Sequence, residues 1–172
     1  MKKAMIFAAG LGTRLRPLTN DRPKAMVEVN GKTLLEINIR KLVSFGFKDI
    51  VVNVHHFADL VIDYLDANNF GANIIISDER DQLLETGGGL KKAADLLQGE
   101  PFLVHNVDVL TDLDLNALYD YHQKNQALAT LATRQRETSR YLLFNKNKVL
   151  HGWTNIKAGI VRQKRATEKD LF

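Results

Sequence analysis

The chain has 172 residues, 45% of them hydrophobic, enough to bury one sizeable core, and the whole length reads as a single domain. It has no Cys, which excludes disulfides, thiolate metal sites and a Cys nucleophile. The net charge is +4, yet ten of the 24 Lys/Arg and only three of the 20 Asp/Glu lie in residues 134–172. That is a solvated basic surface rather than a nucleic-acid site, on a mildly acidic body.

Ala4 to Ala9 is a first buried strand, and Thr33 to Phe45 a helix with Leu34, Leu35, Ile37, Leu42 and Val43 on its apolar face. Asp49 to Val54 is a second strand, Phe57 to Leu65 a helix and Asn73 to Ser77 a third strand. A helix from Gly88 to Leu97 follows, then a fourth strand, Phe102 to His105. Asp114 is the expected N-cap of a helix to Lys124, and Ala127 to Thr133 a fifth strand. Tyr141 to Phe144 and Val149-Leu150 flank Asn145-Lys146-Asn147 as a β-hairpin, and from Ile156 onward the periodicity marks no further element. Apolar strands without polar alternation, separated by helices, indicate a parallel sheet covered on both faces. The expected class is therefore α/β, a Rossmann-like doubly wound and mostly parallel sheet. Ligands in such folds bind beyond the carboxyl ends of the strands.

Three loops at those ends carry chemistry. The first is Ala8-Ala-Gly-Leu-Gly-Thr-Arg-Leu-Arg-Pro-Leu-Thr19. Glycines after a buried strand let backbone N–H groups approach a phosphate, and Arg14 and Arg16 add guanidinium groups suited to bidentate phosphate contact. It is not a dinucleotide fingerprint, because Leu15 occupies the third glycine position, and it lacks a Walker Lys. Close behind, Pro23 stiffens the segment that presents Lys24. The second loop is Leu84-Glu-Thr-Gly-Gly-Gly-Leu90, where three glycines at a helix start oppose helix propensity by about 1 kcal/mol each. Either something approaches that backbone closely, or it is a plain turn capped by Thr86. The third is Asn106-Val107-Asp108, whose carboxylate suits a hard cation such as Mg²⁺. His55 and His56 follow the second strand and point in different directions, so they do not share a metal; Asn53 or His55 is a candidate for nucleotide contact.

The order of strand, Gly10-Leu-Gly-Thr-Arg-Leu15, Pro17-Leu-Thr19 and Pro23-Lys-Ala-Met26 resembles the sugar-phosphate nucleotidyltransferases, also called nucleoside-diphosphate-sugar pyrophosphorylases. The form Leu84-Glu-Thr-Gly-Gly-Gly89 looks most like the branch acting on N-acetylmuramic acid 1-phosphate with UTP, and also resembles mannose-1-phosphate enzymes. The resemblance implies transfer of a nucleoside monophosphate from an NTP, UTP favoured, to a sugar 1-phosphate with release of pyrophosphate. The products would be cell-wall or polysaccharide precursors. It implies nucleotide contacts from Ala8, Gly10, Leu11, Gly12, Thr13, Asn53 and Asn106, and a base- and sugar-facing wall from Glu85, Thr86, Gly87 and Gly88. Arg14 would steady the leaving pyrophosphate, Lys24 would meet the reacting phosphates, and Asp108 would hold Mg²⁺.

The chain departs from the family pattern in two places. Family members usually carry Asn-Gly-Asp where this chain has Asn106-Val107-Asp108. They also continue into strands with a sugar-binding stretch and a second metal carboxylate, whereas after Asp114 and Asp120 the remaining acids here are Glu137, Glu168 and Asp170. The expectation is a chain truncated at its C-terminus and poorly active alone. Two other readings stay open at this point: a nucleotide-sensing module without turnover, and transfer of CMP or GMP to a non-sugar phosphate such as phosphocholine. The apolar runs fall far short of the ~20 residues of a membrane span. Gly10 interrupts the run after Met1-Lys2-Lys3 where a signal peptide would continue. A soluble cytoplasmic protein is expected, without nucleic-acid or membrane partners; a homo-oligomer is compatible with the sequence.

Overall fold

The computed structural model describes residues 1–163. Its contacts group into two compact units, Met1–Thr130 and a second beginning at Leu131.

The first unit is built on four parallel strands: β1 (Lys2–Phe7), β4 (Phe47–Val54), β5 (Asn73–Asp78) and β6 (Phe102–Asn106), in the order β5-β4-β1-β6. Alternate β1 residues face opposite ways. Ala4 and Ile6 join Ile50, Val52 and Val54 against α1 (Leu34–Ser44), α2 (Ala58–Ala67) and Leu115 of α5 (Leu115–Asn125). Met5 and Val51 face Ala93 and Leu97, beside α3 (Glu85–Lys92) and α4 (Ala94–Leu97). Apolar residues on both faces are what a sheet with helices on each side requires. The doubly wound α/β expectation holds.

Local chemistry sets the helix starts. Thr33 caps α1 by accepting the Glu36 N–H at 3.0 Å, and Glu36 then pairs with Arg40 at 2.7 Å one turn on. Asp114 caps α5 by accepting the Asn116 and Ala117 N–H groups at 2.9 and 3.0 Å. Before α1, β2 (Glu28–Val29) and β3 (Lys32–Thr33) form a small antiparallel hairpin. Its turn residues, Asn30 and Gly31, have φ of 51° and 74°, the two left-handed positions that an Asn-Gly turn supplies.

Three expectations need correction. Ala127–Thr133 forms no strand; Leu128 is fully exposed, and without a partner ladder or a buried face its apolar residues cannot hold extended structure. The helix expected from Gly88 to Leu97 starts at Glu85 and breaks at Ala93 into α3 and α4. Beyond Ile156 there is a further strand. The second unit is a three-stranded antiparallel sheet of β7 (Arg140–Phe144), β8 (Leu150–Asn155) and β9 (Ile160–Gln163). The expected hairpin is its first half. The link to β9 turns at Gly159, φ 62°, and the Arg162 guanidinium lies 5.8 Å over the Trp153 ring. Glu168 and Asp170 lie outside the described residues. No helix among the described residues is long and apolar enough to cross a membrane.

Candidate active site

In the first unit the strand order reverses at β1, whose neighbours are β4 on one side and β6 on the other. Connections there diverge to either side of the sheet and leave a crevice beyond the strand ends. That crevice is a cleft of about 590 Å³, lined by the β1 loop, Lys24, the start of α3 and the end of β6.

The β1 loop is shaped by internal contacts. Gly12 adopts φ 66°, and a Cβ there would come within 3.0 Å of Thr19 Cγ2 and 3.2 Å of Lys24 Cβ. Its carbonyl accepts from the Leu15 N–H at 2.9 Å and from the buried Thr19 hydroxyl at 2.9 Å. Only glycine fits a left-handed turn clamped so closely. The N–H groups of Gly10, Leu11, Gly12 and Thr13 make no hydrogen bond among the described residues. A cluster of free backbone donors beside a cleft is an anion-binding arrangement. Arg14 and Arg16 are exposed beside it and form no ion pair among the described residues.

Lys24 opens a short 3-10 turn, Lys24–Met26, entered through extended Pro23 and anchored by fully buried Ala25. Its Nζ lies 3.1 Å from Asp108 Oδ2, with the two side chains 15% and 35% exposed. Asp108 is held from the other side. Val107 is fully buried, its N–H donates to the Phe7 carbonyl at 3.2 Å, and its carbonyl accepts from Asn38 Nδ2 at 2.8 Å. Val107 therefore takes no positive φ and instead plugs into the core behind the site.

The cleft brings together Gly10, Leu11, Gly12, Thr13, Arg14, Lys24, Asn53, Glu85, Thr86, Asn106 and Asp108, joined by Phe7, Ala9, Leu15 and Leu83. Three other expected residues are not on its lining. Ala8 is buried and donates its N–H to Asn53 Oδ1 at 2.7 Å. Gly88 packs on Leu84, where a Cβ would meet Leu84 Cβ at 2.9 Å, and Gly87 faces a separate groove with Leu90, Leu97 and Phe102. Thr86 does not cap α3; Leu84 occupies that position without a side-chain bond, and Glu85 takes φ 57°. His55 Nδ1 lies 2.7 Å from the Glu79 carbonyl, while His56 stacks on Phe57 at 4.0 Å, so the two histidines diverge.

Two residues escaped the sequence reading. Thr19 stands in the Pro17-Leu-Thr19 motif, but nothing in the sequence marks its hydroxyl as the group that closes the β1 loop. Glu79 is 1% exposed and bonds Asn53 Nδ2 at 2.8 Å, yet in the sequence it sits within Asp78-Glu79-Arg80-Asp81, which has the look of a solvated turn. Strand-end position was the only available signal. Among the described residues no group of three His, Asp or Glu side chains could hold a metal. Mg²⁺ commonly takes one or two carboxylates and fills its octahedron with waters and phosphate oxygens. Asp108, partly exposed on the cleft, fits that mode.

The nucleotidyl transferase family model matches residues 3–146. This chain belongs to that family. It is similar to the N-acetylmuramate alpha-1-phosphate uridylyltransferase of Caulobacter vibrioides, 56% identical over 110 residues, covering 62% of this chain and 46% of that protein. The enzyme of the same name from Neisseria meningitidis is 46% identical over 118 residues, covering 68% and 51%. Among solved structures, HddC from Yersinia pseudotuberculosis superposes with TM-score 0.65 at 32% identity, covering 71% of this chain and 54% of that one. This nucleotidyl transferase chain spans about half the length of the curated relatives it matches.

Proposed function

We propose that this chain forms the nucleotide-binding and reacting face of an enzyme that transfers a nucleoside monophosphate from an NTP to a sugar 1-phosphate. The observation carrying the reading is the convergence of the Gly10–Arg14 loop, Lys24 and Asp108 on one cleft at the strand switch. UTP with an N-acetylmuramate-type 1-phosphate is the favoured pair, supported by the names of the two relatives and by Leu84-Glu-Thr-Gly-Gly-Gly89.

In the reaction, a sugar-1-phosphate oxygen forms a bond to the α-phosphorus while the bond from that phosphorus to the bridging oxygen breaks, and pyrophosphate leaves. A phosphate monoester with its second pKa near ~6 is mostly dianionic at neutral pH, so no general base is needed. The obstacle is repulsion among several negative groups, and catalysis reduces to positioning and charge stabilisation. The free N–H groups of Gly10 to Thr13 receive phosphate oxygens, and Arg14 steadies the departing pyrophosphate. Lys24 lies where an incoming phosphate draws its ammonium away from Asp108. Mg²⁺ at Asp108 would neutralise phosphate charge and polarise the reacting centre.

Pyrophosphate release from UTP, GTP and CTP, each with Mg²⁺ and a panel of sugar 1-phosphates plus phosphocholine, tests the reading. UTP-dependent release with one sugar 1-phosphate supports it. UTP binding without release under any combination would make this a nucleotide-binding module instead.

A further inference from the structure

Glu79 follows β5 and is almost completely buried, yet it forms no ion pair among the described residues. Removing a carboxyl group from water without a cation opposite is costly, and an apolar side chain would fill the same volume more cheaply. Its two oxygens each face an N–H donor: Oε1 accepts from Asn53 Nδ2 at 2.8 Å and Oε2 from the Leu84 N–H at 3.3 Å. Asn53, itself buried at the end of β4, turns its Oδ1 the other way and accepts from the Ala8 and Ala9 N–H groups at 2.7 and 3.3 Å. The α3 backbone closes the space. A Cβ on Gly89 would stand 2.7 Å from Glu79 Oε1 and 3.0 Å from Asn53 Nδ2.

An Asn amide can present either end to a neighbour, and its hydrogen-bond partners decide which. Here an acceptor on one side forces the NH₂ toward Glu79 and the oxygen toward the β1 loop. Ala8 and Ala9 are thereby turned inward, and the following donors, Gly10 to Thr13, are left for the cleft. The same carboxyl group fixes Leu84, next to the cleft residues Glu85 and Thr86. From these contacts we infer that Glu79 is a positioning residue for the nucleotide site: through Asn53 it sets the orientation of the phosphate-loop amides, and through Leu84 it ties that loop to the opposite wall. This rests on the proposed nucleotide site and adds a residue to it that touches no substrate.

The polarity argument makes a sharp test. In Glu79→Gln the new NH₂ must face either the Asn53 NH₂ or the Leu84 N–H, and if Asn53 flips to relieve the clash it opposes Ala8 and Ala9. Asn53→Asp alone sets two carboxyl groups against each other. Combined, the two substitutions restore every bond, with the Gln NH₂ donating to the new Asp and its oxygen accepting from Leu84. Calorimetric titration with UTP and Mg²⁺, well below each variant's melting temperature, should show each single variant weakened roughly 10–100-fold. In the double variant the recovery is read at the relay itself: the Ala8 and Ala9 amide resonances, displaced in each single variant, should return to their wild-type positions, a readout not decided by the carboxylate that Asn53→Asp brings to the cleft lining. Full UTP affinity in folded Glu79→Gln, or no recovery in the double variant, overturns the inference. Should Glu79→Gln not fold, Gly89→Ala displaces the unaltered carboxyl group from behind, and undiminished UTP affinity in that variant overturns the inference equally. If wild-type protein binds no UTP, the nucleotide reading falls instead. The Ala8 and Ala9 amide resonances then decide on Glu79 alone, shifting in Glu79→Gln and returning in the double variant, or staying fixed and refuting the relay.

Discussion

Lys24 Nζ and Asp108 Oδ2 meet at 3.1 Å across the mouth of the cleft, although 84 positions separate the residues in sequence. Pro23 and buried Ala25 present one, and Val107, plugged into the core, presents the other. The two side chains are 15% and 35% exposed, so the cost of taking the charges out of water offsets much of their attraction and the pair's net contribution to stability is small, on the order of 1 kcal/mol. The rigidity built around both partners is therefore out of proportion to what their attraction returns in folding, and it matches a site that must hold charge at fixed points. Lys24→Ala and Asp108→Ala should each lower turnover on the order of 10²–10³-fold, the usual effect of removing one preorganised charged group. Their thermal midpoints should stay close to wild type. Pyrophosphate release and thermal melting, measured side by side, check both halves; near-normal turnover in either variant would falsify the placement of these residues.

Gly10 and Gly12 lie two positions apart in the same loop and should respond differently to Ala. At Gly12 the backbone is left-handed and the added methyl meets Thr19 and the Lys24 stem at 3.0–3.3 Å. The left-handed conformation alone costs an L-residue about 1–2 kcal/mol, and the displaced Lys24 should reduce turnover as well. At Gly10 the nearest atom is Lys24 Nζ, at 3.7 Å, an ordinary van der Waals contact, so Gly10→Ala should leave the melting temperature nearly unchanged. Equal melting temperatures for the two variants would contradict this account of the loop.

Much of the first unit was legible because its signals are local. Apolar runs marked β1, β4, β5 and β6 to within two residues, the apolar face of Thr33 to Phe45 marked α1, and Asp114 announced α5 through capping. Asn30-Gly31 was an equally local hairpin signal that went unread. What could not be read depended on distant partners. Ala127 to Thr133 has a strand-like composition, but composition cannot reveal whether a neighbouring ladder exists to receive it. The glycines of α3 pointed to close approach, and the approach is partly internal: Glu79 and Asn53 press on Gly89, and Leu84 presses on Gly88. Eleven of the site residues chosen from sequence line the cleft, most of them because they lie in loops beyond strand ends, where the fold itself gathers them.

His105 offers a pH test. Its side chain is buried beneath the site, and burial holds its pKa below the ordinary 6.5, with Lys41 pressing the same way and the Asn106 carbonyl and Asp108 opposing. The unfolded chain therefore takes up this proton at a higher pH than the folded one. The stability from neutral His105 is complete above the unfolded value near 6.5 and is lost as pH falls from there through the lower folded value. Thermal midpoints of wild type should drop across that window, and His105→Gln should show a shallower decline. Parallel curves would assign the pH dependence elsewhere.

Val107 separates what the family pattern requires from what this chain needs. At the position where the resemblance leads to an expectation of glycine, the valine side chain is fully buried in the core cluster that holds Leu115 and Leu35, and its backbone is held at both ends by Phe7 and Asn38. No left-handed conformation demands glycine here. Val107→Gly removes a buried side chain and loosens the backbone, which together should cost about 2–4 kcal/mol. The Phe7 and Asn38 bonds use main-chain atoms, so they survive the substitution and keep Asp108 at the cleft. Turnover at a temperature where the variant is folded should then stay within a few-fold of wild type while its denaturation midpoint falls. A large loss of turnover with unchanged stability would mean that the valine side chain shapes the site directly, and the division between core and chemistry drawn at this turn would be wrong.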